Sequence, residues 1–180
     1  MAHLGRVFGS KHVREVVGPD GKNFNDFAAT IAMFTYEELI SGSEPLEQGD
    51  EQVLVASWWV QSRDPKKDLK DFATELKPLV VGAFGDLSRK VVVNVALPDE
   101  AGMLKYFTGD IAPSYSACYQ VYLTDKAQVA DFLDKKATLE ERAAELVVQE
   151  TTFATFGIRS VVLDQTRGVR FDASRQPRLS

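Results

Sequence analysis

VLVASWWVQSRDPKKDLKDFATEL (residues 53–76) is the stretch whose reading decides the fold. Its first eight residues are mostly β-branched or aromatic, the composition that suits a buried, pleated strand. Asp64-Pro65 then reads as a helix start, a capping residue followed by proline at the first helical position. Leu69, Phe72, Ala73 and Leu76 share one face of a 3.6-residue repeat, with Lys and Asp on the other. Pro78 predicts an end or bend, because proline lacks the N–H and crowds the preceding turn.

Downstream the alternation repeats. KVVVNVAL (90–97) is a second buried strand, followed by a short helical excursion over 98–107. Tyr115 to Leu123 alternates as a third strand, with Tyr115, Ala117, Tyr119, Val121 and Leu123 on one face. Asp125 with Gln128 forms a capping box that opens a second helix through Val129, Phe132 and Leu133. Thr138 with Glu141 forms another, which predicts a break near Ala137. The fourth strand is Phe156–Leu163, and a turn at 164–168 with a last strand at 169–173 would close a hairpin.

Strand, helix, strand, strand, helix, strand over 53–163 is an α+β pattern. It predicts a ferredoxin-like βαββαβ core: a four-stranded antiparallel sheet with two helices on one face. The other face is left free, and it is not strongly polar. Such a face usually packs on an N-terminal hairpin or on another subunit, so an oligomer is expected.

Upstream, HVREVV (12–17) reads as a short strand closed by the turn Gly18-Pro19-Asp20-Gly21. Residues 24–40 read either as a helix capped at Asn25 or as a strand over 27–36 that completes a hairpin; the strand is preferred. SGSEPLEQGDEQ (41–52) is a loop. The chain therefore divides into an N-terminal arm and appendage (1–52), an α+β core (53–173) and a tail (174–180).

An apolar share of 44% suits a globular chain. The apolar runs are far shorter than the ~20 residues that cross a bilayer. The N-terminus MAHLGRVFGSKHV has no apolar segment and no cleavage site, which predicts no secretory signal and a virion or cytoplasmic location. Net charge is −5, but it is segregated. Residues 1–22 carry four cations against two acids, and 157–180 carry five arginines against two acids, while 23–156 carries a net −10.

The catalytic inventory is thin. His3 and His12 are the two histidines and lack metal-binding spacing. Gly5–Lys11 superficially resembles a phosphate loop but has neither the preceding strand nor a GK[ST] ending. The single cysteine, Cys118, excludes an internal disulfide, CxxC chemistry and a multi-cysteine zinc site, and reads as a small core residue. The adjacent carboxylates Glu37-Glu38, Asp99-Glu100 and Glu140-Glu141 do not face each other. No cofactor, metal or catalytic residue is assigned. An acidic body repels phosphate, so nucleic acid is disfavoured as a partner.

Interaction residues are assigned instead. Arg167, Arg170, Arg175 and Arg178 form a basic segment suited to carboxylates of a neighbour. Glu44, Glu47, Asp50 and Glu51 form an acidic loop that can receive one. Trp58 and Trp59 point to opposite faces of their strand, one into the core and one toward a binding surface. The expected function is a non-catalytic structural subunit of a large assembly. Its expected context is a virus or phage particle, as head–tail connector, tail-completion or capsid-associated protein, with itself or other structural proteins as partners. The alternative is a dimeric α+β-barrel enzyme or binding protein with a pocket lined by Trp58, Asn94, Tyr115 and Tyr119.

Overall fold

The computed structural model describes residues 2–20, 23, 26, 30–43, 53–99, 102, 104, 115–161 and 168–175. The chain falls into two compact units: Met1–Tyr36 with Ala96–Tyr115, and Glu37–Val95 with Ser116–Ser180.

In the first unit, helix α1 (Ala2–Phe8) is followed by a π-helical turn at Val13–Val17 and a helical turn at Gly18–Asp20. The strand expected at 12–17 is therefore helical. Ser10 explains why: its Oγ accepts the N–H of Val13 at 3.3 Å and its carbonyl accepts that of Arg14 at 3.1 Å. Lys11 and Glu15 add an i,i+4 ion pair. Valine favours a strand when a pleated, half-buried surface receives it, and Val16 and Val17 are exposed.

The sheet comprises β1 (Thr35–Gly42), β2 (Val53–Val60), β3 (Ser88–Ala96), β4 (Ala117–Leu123) and β5 (Phe153–Arg159), in the order β1-β3-β4-β2-β5. The β2–β4, β2–β5 and β3–β4 ladders are antiparallel. The α+β class holds, but the sheet has five strands rather than four. The extra strand is β1, which lies later than the strand expected over 27–36 and takes in Ser41-Gly42 from the expected loop. Gly42 ends it at φ +88°, where a Cβ would collide with the carbonyl oxygen of Arg89. Only glycine lets β1 finish this close to β3.

Two long helices join the strands: α2 (Leu69–Phe84) and α3 (Gln128–Arg142). Helix α2 starts at Leu69, not at Asp64, because Asp68 Oδ1 accepts the N–H groups of Lys70 at 2.8 Å and Asp71 at 3.2 Å. Asp64-Pro65 makes a preceding turn instead. Pro78 does not end the helix, which runs on to Phe84. Phe72, Ala73, Leu76, Val80 and Phe84 are all buried along it. At about 1.5–3 kcal/mol per large side chain, that burial outweighs the ~3 kcal/mol cost of an internal proline.

The capping box expected at Asp125 and Gln128 forms in part, since α3 begins at Gln128 with Ala127 as its N-cap and no side-chain bond caps it there. Gln128 Oε1 accepts the N–H groups of Thr124 at 2.9 Å and Asp125 at 3.1 Å, and Asp125 Oδ1 accepts that of Ala127 at 2.9 Å. The break expected near Ala137 is absent. Thr138 Oγ1 donates back to the carbonyl of Asp134, and Leu139 is buried one residue on, so the helix stays continuous.

Both helices cover one sheet face. Ala56, Trp58, Val60, Val91, Val93, Tyr119 and Val121 are buried there, and Phe84 stacks on Phe132 at 4.8 Å between the helices. The register places Val53, Val55, Lys90, Val92, Cys118 and Tyr122 on the opposite face. That face is not free at its centre: Val92 is 1% and Tyr122 3% exposed.

After β5, Val169 forms an isolated bridge and Ala173–Arg175 a 3-10 turn, so the closing strand expected at 169–173 is not formed. The expected turn at 164–168 and the helical excursion at 98–107 lie largely outside the described residues. Among the described residues no helix is long and apolar enough to cross a membrane.

Candidate functional site

The Trp58-Trp59 pair divides as the alternation of a strand requires. Trp58 faces the helices and is fully buried, with its ring 5.6 Å from that of Tyr119. Its Nε1 donates to Glu140 Oε1 of α3 at 2.9 Å. Lys136 Nζ lies 2.7 Å from the same oxygen, which also accepts the hydroxyl of Thr152. Glu140 thus ties the centre of β2 and the approach to β5 onto one helix.

Trp59 faces the other way and is partly exposed. It stacks on Phe153 of β5 with ring centroids 5.9 Å apart and planes 5° from parallel. Beyond this stack lies the edge of the sheet. Among the described residues β5 pairs with β2 alone, and its residues 155–159 are all exposed. On the helix side of β5, Phe156 and Ile158 are each 40% exposed, and Leu133 of α3 is 45% exposed. Phe156 meets Phe132 edge-on at 5.6 Å, which fixes the strand against α3. The result is an aromatic and aliphatic edge with Arg159 as the one charge in the strand.

The flank of α3 beside this edge continues the pattern. Phe132 and Glu140 point to β5 and β2, so helical spacing puts Ala130, Leu133 and Ala137 on the neighbouring side. All three are exposed and uncharged. Asp134, Lys135 and Arg142 lie on the opposite flank, along a groove of about 270 Å³ toward Gly82 and Ala83 of α2.

A second cleft, about 340 Å³, opens at the end of the sheet where β2 begins and β4 ends. Arg89, Asp125 and Lys126 line it over Val53, Leu54 and Ile158. In the turn that precedes α3, Gln128 Oε1 and Asp125 Oδ1 engage the N–H groups of Thr124, Asp125 and Ala127.

The remaining assigned residues fare unevenly. Arg170 is exposed, and Arg175 ends the 3-10 turn at Ala173–Arg175. Arg167, Arg178, Glu44, Glu47, Asp50 and Glu51 lie outside the described residues. Cys118 is buried, and burial pushes its thiol up to about 12 despite an opposing hydrogen bond with Ser57. The pocket imagined for a barrel does not assemble from its named residues. Trp58 and Tyr119 are buried beneath the helices, while Asn94 pairs with Cys118 on the opposite face. Among the described residues no group of three or more His, Cys, Asp or Glu is placed to hold a metal ion.

Phe153, Phe156, Ile158 and Leu133 are not among the interaction residues assigned from the sequence. The alternation in FATFGIR was the available signal, obscured by starting the strand at Phe156. Comparison with family models, with curated proteins and with solved structures finds no match.

Proposed function

We propose that this protein is a non-catalytic structural subunit that assembles with copies of itself or with related structural proteins. The observation that carries the reading is the β5 edge, where Phe156 and Ile158 remain 40% exposed on a strand whose one charge is Arg159. Sheet edges that stay single are usually blunted by charge, proline or a bulge, and β5 has only its terminal Arg159. Charge segregation supports the same reading. Residues 157–180 carry five arginines against two acids, and the −10 body offers carboxylates to receive them.

A virus or phage particle is the context we favour, with this chain as a connector, tail-completion or capsid-associated component. We further propose that β2 to β5 with α2 and α3 form a ferredoxin-like unit to which β1 is added. The strand order β3-β4-β2-β5 and its antiparallel ladders support that assignment.

The test is solution mass against ionic strength for the full chain and for a variant lacking residues 174–180. The reading expects particles of more than two copies that become smaller in high salt and on tail removal. Particles indifferent to both changes would overturn the role of the basic segment.

A further inference from the structure

The β5 edge is self-complementary, and this identifies its partner. We propose that a second copy of this chain pairs with β5 in antiparallel register about a two-fold axis at Gly157. The proposal rests on the assembly reading above and names one contact within it.

In that register Phe156 faces Ile158 of the second copy, and Ile158 faces its Phe156. Each of these partly exposed side chains gains an apolar neighbour on the helix side of the sheet. Shifting the axis to Phe156 would instead set Ile158 against Ala154, a poorer match. On the opposite side Thr155 faces Arg159, so the only charge of the strand never meets its own copy. The uncharged flank of α3, with Ala130, Leu133 and Ala137, lies beside the same edge. Lys136 and Glu140, between this flank and the sheet, are paired with each other at 2.7 Å, while Asp125 and Lys126 line the cleft beside Ile158. A two-fold axis therefore brings the two apolar strands together without setting Arg159 against its own copy.

Gly157 makes the geometry directly testable. A Cβ at this position meets nothing within 4 Å, so a cysteine fits without disturbing the fold. Directly opposed residues of antiparallel strands have Cα atoms about 4.5–5.5 Å apart, within disulfide range. Cys118 is buried and leaves the background low.

The experiment is oxidative cross-linking of the full chain carrying Gly157→Cys, read as mass before and after reduction. Ala154→Cys serves as the control, because this register sets residue 154 opposite residue 160 of the second copy. The expected result is a reducible two-copy product from Gly157→Cys, formed at least tenfold faster than from Ala154→Cys. Phe156→Asp is expected to weaken self-association about 100-fold or more, since a carboxylate would be buried against Ile158.

Equal rates at the two cysteine positions would overturn the pairing. If salt-sensitive particles still formed in that case, the assembly reading would stand while this contact fell. A single-copy mass for the unmodified chain at every concentration would overturn the self-pairing outright.

Discussion

Trp58 and Glu140 are 82 residues apart in sequence, yet the indole Nε1 of one donates to Oε1 of the other at 2.9 Å. This bond closes the core between β2 and α3 at a point from which water is excluded on the Trp58 side. Lys136 and Thr152 meet the same carboxylate oxygen, so a single side chain satisfies three donors.

Glu140→Ala should therefore destabilise the fold by about 2–4 kcal/mol, because it strands a buried indole N–H and unpairs Lys136. Glu140→Gln keeps an acceptor in place and should cost less. Urea denaturation followed by tryptophan fluorescence measures both. A loss below about 0.5 kcal/mol for Glu140→Ala would show that the bond has little influence on folding.

Two glycines predict effects of opposite sign. Gly42 holds φ +88° with the Arg89 carbonyl oxygen in the space a Cβ would need, so Gly42→Ala should destabilise by about 1–3 kcal/mol or more. Gly82 lies inside α2 with open space around its Cα, so Gly82→Ala should stabilise by about 0.5–1 kcal/mol. Thermal or urea unfolding of the pair decides the matter; the same sign for both would contradict the packing of β1 on β3.

Cys118 predicts a loss of stability in alkali. Burial raises its thiol from 9.0 to about 12, so between these values the folded chain keeps a proton that the unfolded chain has released. Its contribution is complete below pH 9 and is lost as pH rises toward 12. Comparing pH profiles of unfolding for the unmodified chain and Cys118→Ala isolates this effect. The variant should show a shallower alkaline decline, and native Cys118 should resist thiol reagents at neutral pH until the chain unfolds.

Most of the sheet was legible because its strands are short, β-branched runs separated by amphipathic helices. VLVASWWV and KVVVNVAL became β2 and β3 with little change. Helix starts were less legible: Asp64 and Asp68 both look like caps, and the choice depends on which carboxylate the fold turns toward the free N–H groups. Pro78 misled because local cost was weighed without the five buried side chains of α2. The N-terminal valines misled for the converse reason, since strand propensity counts only where another strand offers a surface.

The site was legible in part. Alternation correctly separated Trp58 from Trp59, but nothing in the sequence says which strand stands at the margin of the sheet. That depends on the order β1-β3-β4-β2-β5, a long-range property, and it alone gives Phe156 and Ile158 their exposure.

Sedimentation equilibrium of the unmodified chain beside Phe156→Asp tests the central claim most directly. One chain weighs 20.0 kDa. The account predicts more than twice that mass for the unmodified chain and a marked fall for the variant with its secondary structure intact. A single-copy mass for the unmodified chain, or an identical multiple for both, would contradict it.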